Sequence, residues 1–315
     1  MFATPSERFM FGDSGVCAKN QKFGQATSIA EFFADQPIDG ILGMAFTSLA
    51  VDSITPPFIT ASPQLDHPYF TVWFTHKGAA EDVVGGMFTY GGLDAVHCSP
   101  TTTWIPLSSA TYFQFTINGV SAGSYSSTEK SEVISDTGTS LIAGPSGPIG
   151  GIAKALGGKY NSGEELWYVD CKAQVPNVTY TISGNKYDLT QSTMIVPSGE
   201  GNTCILAIFE FGGGGFGPSW ILGDPFIRQY CNTYDVGAKR IGEESIAGSR
   251  WNPLEARWSH PELMTPTAAP QVVIYHALAR SLVANRGAAR SCARSRRRDR
   301  SGPFPKPSVV GARHN

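Results

Sequence analysis

Val133-Ile134-Ser135-Asp136-Thr137-Gly138-Thr139-Ser140 decides how this chain is read. The β-branched pair at 133 and 134 starts an extended strand, and the Asp-Thr-Gly that follows turns it sharply, presenting one carboxylate at the strand's end. Gly138 admits close approach of another backbone segment, and the hydroxyls of Thr137 and Thr139 can hydrogen-bond within the loop and fix the carboxylate's orientation. Three residues of this kind also make ordinary turns. The surroundings carry the weight.

Outward from that loop the chain is β-rich. Tyr69-Phe70-Thr71-Val72-Trp73-Phe74, Met87-Phe88-Thr89-Tyr90 before Gly91-Gly92, and Tyr112-Phe113-Gln114-Phe115-Thr116-Ile117 before Asn118-Gly119 read as strands. Asn118-Gly119 predicts a two-residue hairpin turn, because both central positions of such a turn want positive φ. Pro148 to Leu156 predicts a helix, with Ile149, Ile152, Ala153 and Leu156 on one face and Gly157-Gly158 ending it. Asp39-Gly40-Ile41-Leu42-Gly43 and Trp220-Ile221-Leu222-Gly223-Asp224 repeat the same Ile-Leu-Gly, as two lobes of similar design would.

Composition agrees. With 315 residues, 41% hydrophobic, 16% charged, 35 glycines and 21 prolines, the sequence is that of a turn-rich globular protein, which excludes coiled coil and general disorder. The longest apolar run, Val272 to Ala284, is broken by His276 and Arg280, so no membrane-spanning helix and no membrane partner is predicted. Charge is divided unevenly: residues 1–242 hold 12 Lys+Arg against 21 Asp+Glu, while 243–315 hold 12 against 5. An acidic body argues against nucleic acid and suits a protein that stays folded where carboxylates are partly protonated. Beyond Gly242 the β pattern stops and Pro, Ala, Ser and Arg take over, so residues 243–315 are expected to be a disordered or non-native extension.

The six cysteines, at 17, 98, 171, 204, 231 and 292, contain no Cys-x-x-Cys, and the histidines form no His-Glu-x-x-His, so no metal is expected. Wide cysteine spacing suits disulfides and an oxidising compartment, and Asn177-Val178-Thr179 is a glycosylation acceptor if the chain is secreted. Met1 to Met10 has no apolar core and cannot serve as a signal peptide.

The loop in its setting resembles the pepsin-like aspartic endopeptidases of family A1, the cathepsin D and pepsin type, which carry a hydrophobic-hydrophobic-Asp-Thr-Gly loop and, later in each lobe, a hydrophobic-hydrophobic-Gly segment threaded beside it. The resemblance runs from about Phe11 to Gly242. It implies a mainly β, bilobal acid-protease fold, with residues 1–100 as the latter part of the N-terminal lobe and 101–242 as the C-terminal lobe. It makes Asp136 catalytic and Thr137, Gly138 and Thr139 its support. Gly138 and Thr139 would bind substrate backbone, Ile134 and Ile221 would wall the primed side, and Phe32, Ile38 and Ile41 would line a first-lobe pocket. It further implies a Cys171–Cys204 disulfide, a second bridge between Cys98 and Cys231, peptide or protein substrates, no cofactor, a monomer, and a secreted or lysosomal setting. The pairing of Cys17 and Cys292 stays open.

Two features of the family are missing from the sequence. Its other Asp-Thr/Ser-Gly loop should stand well before Asp39, and its flap, a hairpin with a Tyr and a Gly-rich tip, should follow that loop. Asp13-Ser14-Gly15 follows Phe11-Gly12 rather than two β-branched residues and is expected to be a hairpin turn. The chain is therefore expected to begin just after the flap and to be incomplete in its first lobe. The competing expectation is a catalytically inactive relative that binds peptide or protein through the surviving half-cleft.

Overall fold

The computed structural model describes residues 6–11, 15–26, 28, 40–76, 84–199, 201–212, 217–247 and 308–313. Phe32, Ile38, Asp39, Asp13 and Cys292 lie outside them. The described residues are mainly β. Strands β1 (Ser6–Met10) and β2 (Cys17–Lys22) pair antiparallel; Gly15, with φ +77°, lies between them, while Asp13 and Ser14 of the expected turn are outside the described residues. A short helix, α1 (Pro57–Ala61), with proline in its first turn where a missing N–H costs nothing, buries Phe58 and Ala61.

Next come β3 (Tyr69–Phe74), β4 (Val84–Tyr90) and β5 (Thr103–Pro106). They are followed by β6 (Ser109–Ala110), β7 (Phe113–Ala122), β8 (Tyr125–Ser127), β9 (Ser131–Ser135) and β10 (Ile142–Gly144). Helix α2 (Ser146–Ala155) matches the predicted helix, burying Ile149, Ile152 and Ala153 before Gly157 at φ +76° ends it. Strands β11 (Lys159–Asn161), β12 (Leu166–Asp170), β13 (Val178–Ile182) and β14 (Asn185–Leu189) lead to α3 (Gln191–Met194). After β15 (Ile195–Pro197), β16 (Thr203–Leu206), β17 (Ile208–Glu210) and β18 (Trp220–Leu222), helix α4 (Asp224–Gln229) carries the chain into β19 (Tyr230–Asp235) and β20 (Arg240–Ser245). A last strand, β21, spans Ser308–Arg313.

Two sheets position the Asp136 loop. In the larger, the strand order is β14-β13-β7-β9-β18-β10-β17, with β6 and β8 also on β7. In the other, the order is β21-β4-β3-β19-β20-β5, so strands from both halves of the chain alternate. Their facing sides share one core that includes Phe70, Val72, Phe113, Phe115, Val133, Trp220 and Leu222. The disulfide Cys98–Cys231 joins the stretch after β4 to β19, and Cys171–Cys204 joins the end of β12 to β16. Both are the bridges that the resemblance implies.

Two expectations need correcting. Asn118-Gly119 is not a turn: β7 runs straight through it, and the hairpin closes instead at Gly123-Ser124, where Gly123 has φ +51°. Thr181 pairs with Gly119 but Ile182 pairs with Ile117, so the strand carries a bulge there. Burial changes phase at the bulge, from Phe113, Phe115 and Ile117 to Val120 and Ala122, which keeps both halves of a long strand facing the core. The pair of residues that favours a tight turn also suits a bulge, since Gly119 has φ +154° and a Cβ there would lie 2.5 Å from the Ser127 carbonyl. The β pattern also does not stop at Gly242. Strand β20 continues to Ser245, because Glu243 and Glu244 are buried by the sheet, and residues 308–313 add a strand along β4.

Candidate active site

Strand β9 ends at Ser135 and delivers Asp136 to the boundary between the two sheets. Strand β18 lies parallel beside it, pairing Trp220 with Val133, Ile221 with Ile134 and Leu222 with Ser135, and the Asp136 N–H donates to the Leu222 carbonyl at 3.0 Å. The second Ile-Leu-Gly therefore flanks the acid loop. The first does not occupy an equivalent place: Ile41 is 50% exposed and residues 40–46 form no strand. Ile221 has β9 on one side and β10 on the other, whereas no described strand flanks Ile41.

Asp136 is 6% exposed, and each carboxylate oxygen accepts a hydrogen bond from its own loop. The Gly138 N–H donates to Oδ1 at 3.0 Å and the Thr139 hydroxyl donates to Oδ2 at 2.6 Å. Both fix the plane of the group. Gly223 makes this loop possible. The Asp224 N–H donates to the Thr139 carbonyl at 2.8 Å, and a Cβ on Gly223 would lie 2.1 Å from that oxygen and 2.3 Å from the Leu141 carbonyl. Neither obstacle is a side chain that can swing away. Gly223→Ala is expected to destabilise the protein by about 3 kcal/mol, and to shift the Gly138 amide resonance as the loop is pushed off β18. Equal denaturation midpoints for variant and parent would contradict this.

Helix α4 begins directly after that glycine, and its first residue, Asp224, is buried with Arg228 one turn on, the guanidinium 2.9 Å from the carboxylate. Burial pushes the Asp224 carboxyl up to about 7, against the pull of Arg228 and with the charge of Asp136 adding to the rise. Behind the loop, the Ser135 hydroxyl donates to Asn232 Oδ1 at 2.6 Å and lies 2.9 Å from the Tyr234 hydroxyl. Burial holds the Tyr234 phenol well above its ordinary range.

In front of Asp136 is a pocket lined by Met44, Ala45, Phe70, Tyr112, Phe113, Ile134, Ser135, Thr137 and Tyr234, with about 30 Å³ of space. That is room enough to admit water. The walls are aromatic: Tyr234 stacks on Phe70 at 4.8 Å and meets Phe113 edge to face at 4.8 Å. A fixed carboxylate beside a small, largely apolar space that admits water can orient a water and take its proton.

Of the residues singled out by sequence, Asp136, Thr137 and Ile134 line this space, while Gly138 and Thr139 stand behind Asp136 and hold its carboxylate. Ile221 sits behind Ile134 in a small apolar cluster with Ala143, Leu166 and Phe209, and is 2% exposed, so it supports the wall without forming it. Thr139 is 2% exposed with its hydroxyl already donated to Asp136. Asn177 is exposed just before β13, and its sequon hydroxyl, on Thr179, donates to Asp188. Sequence reading missed Ser135, Asn232 and Tyr234. The alternation of Asn232 and Tyr234 along β19 was visible, but nothing local shows that this face meets residue 135.

Residues 12–245 match the family described as eukaryotic aspartyl protease. Aspartic protease 6 of Caenorhabditis elegans is 51% identical over 233 residues, covering 73% of this chain and 60% of that protein. Aspartic protease 2 of Necator americanus is 46% identical, covering 71% and 52%, and pepsin A of Rhinolophus ferrumequinum is 33% identical, covering 74% and 61%. The chain thus spans somewhat over half the length of these relatives.

Proposed function

Because this chain belongs to the eukaryotic aspartyl protease family, we propose that Asp136 is one of the two carboxylates of a peptide-hydrolysing centre. The observation that carries the reading is the hold on Asp136 by Gly138 and Thr139 where its carboxylate lines a pocket that admits water. In a two-aspartate centre the carboxylates share one proton; the ionised one takes a proton from the bound water, and the neutral one donates to the peptide carbonyl as the tetrahedral intermediate forms. The sequence contains one Asp-Thr-Gly loop of this kind, and we take the second carboxylate to lie outside the described residues. On that reading the two roles are not divided within the 315-residue polypeptide, which is proposed to hydrolyse peptides at background rate.

Substrates are peptides or proteins, as the family implies. We take the backbone of Gly138 and Thr139 as substrate partners, Ile134 as a wall of the cleft, and Phe32, Ile38 and Ile41 as first-lobe contacts, which together favour bulky apolar side chains around the cut. The two disulfides, with relatives named pepsin and cathepsin, point to the secretory pathway, and an acidic lumen or secretion is the proposed destination. We place the lobe boundary near residue 100 and propose that the intact form is a monomer.

A second reading, a peptide-binding relative without catalysis, is favoured by the single acid loop in the sequence. Incubating a peptide mixture at acid pH with the 315-residue chain and with the longest product of its locus, then mapping products by mass spectrometry, separates the two. Cuts between apolar residues by the longer product support the endopeptidase. Peptide retained uncut by both, with saturable affinity, supports the binder and overturns the endopeptidase.

A further inference from the structure

One buried acid lies at the far end of a hydrogen-bonded path from the Asp136 loop. Glu243 is 3% exposed and stands directly opposite Asn232 in the β19–β20 pairing. Asn232 Nδ2 donates to Glu243 Oε2 at 2.9 Å and to the Tyr230 carbonyl at 3.1 Å, and its Oδ1 accepts from Ser135 at 2.6 Å. Since the Ser135 hydrogen is used on Asn232, the contact between Ser135 and Tyr234 requires the tyrosine to donate. Every proton direction along Tyr234, Ser135, Asn232 and Glu243 is thereby set. The path crosses from one sheet to the other, with Tyr234 lining the Asp136 pocket at one end.

At the other end, Glu243 borders a separate, mostly polar pocket of about 270 Å³ with Ser99, Thr101, Thr103, Lys186 and Tyr187 among its walls. Oε1 of Glu243 has no hydrogen-bond partner among the described residues. Oε2 already accepts from Asn232, so a proton on this carboxyl sits on Oε1, on the side free of the amide.

We propose that Glu243 is a positioning residue whose protonation state sets the geometry of the Asp136 loop through Asn232 and Ser135. When the carboxyl ionises, the Asn232-to-Glu243 bond becomes charge-assisted and shortens. The amide is drawn toward β20, its polarised oxygen changes its pull on the Ser135 hydroxyl, and the residue immediately before Asp136 moves or stiffens accordingly. Burial, and then the neighbouring charge of Glu244, keep Glu243 protonated well above the usual carboxylate range. The other titratable groups facing it are Tyr187 and Lys186 from β14 and Tyr230 and Tyr234 from β19. The catalytic consequence rests on the reading of Asp136 given above; the coupling itself does not.

The test follows the Gly138 amide, which donates to Asp136, by nuclear magnetic resonance from pH 4 upward across the whole range in which the fold persists. The expected profile carries an inflection that coincides with titration of the Glu243 carboxyl carbon. Glu243→Gln, which keeps the acceptor for Asn232 but cannot ionise, is expected to remove that inflection. Ser135→Ala is expected to remove it from Gly138 while leaving the Glu243 carbon titrating, which also keeps the test decisive if Glu243→Gln fails to fold. A Gly138 profile left unchanged by either variant, or one altered only by Asp224→Asn or Glu244→Gln, overturns the proposal. A peptide assay showing no hydrolysis by the longest product of the locus would sink the functional reading and leave this result standing.

Discussion

Replacing Asp136 with asparagine is expected to lower kcat/KM for peptide cleavage by the catalytically complete product of this locus at least about a thousandfold, equivalent to roughly 4 kcal/mol of transition-state stabilisation. Asparagine can accept from the Gly138 N–H at its oxygen while its NH2 donates to the Thr139 hydroxyl, which turns to accept, so the loop should keep its shape. What it loses is the charge and the ability to carry a proton. The loss should therefore appear in kcat more than in KM, with an unchanged melting temperature and with peptide binding retained. Residual turnover within tenfold of the parent would remove Asp136 from the mechanism.

The second large effect is on stability. Asp224 and Glu244 keep their protons up to about 7 in the folded chain, both chiefly because burial penalises the charge, whereas their ordinary values are 3.8 and 4.5. Between those limits the folded chain binds more protons than the unfolded one, so raising the pH favours unfolding. At about 1.4 kcal/mol per unit, each group costs roughly 3 to 4 kcal/mol by neutral pH, with Glu243 adding in the same direction. Glu132 works the other way: burial raises it, but hydrogen bonds from Ser108, Gln114 and Thr116 hold it below its ordinary value, so its contribution falls below about pH 4.5, outside this window. Thermal melts should be highest near pH 4 and fall steadily toward pH 7, and Glu244→Gln should flatten the slope. A midpoint that rises across this range would contradict the assignment. An optimum of this kind fits the acidic body of the chain and an acidic compartment.

Legibility in the sequence followed the range of the interactions. The Asp-Thr-Gly loop, the strands around Tyr69 and Tyr112, and helix α2 rest on local turn chemistry and on periodicity, and each was visible. The pairing of Ile221 with Ile134 was legible only because Ile-Leu-Gly resembles a known partner segment; propensity alone says nothing about which strand lies beside which. Asn118-Gly119 misled because a bulge and a tight turn call for the same residues, and only the phase of burial on either side tells them apart. Glu243 and Glu244 were invisible as core. Adjacent charged residues in an Arg- and Pro-rich neighbourhood signal solvent, and it takes β5 and β19 on either side of β20 to bury them. The polar path behind Asp136 is likewise tertiary, joining residues 135 and 232 across two sheets.

The interleaved order β4-β3-β19-β20-β5 constrains how the polypeptide can be made. Val72 has Asn232 for its neighbour, so in a nascent chain the edge of β3 opposite β4 stays unpaired until residue 232 has emerged. Closure of this sheet, and of the Cys98–Cys231 bond across 133 residues, therefore waits for contacts that are far apart in sequence, which slows folding.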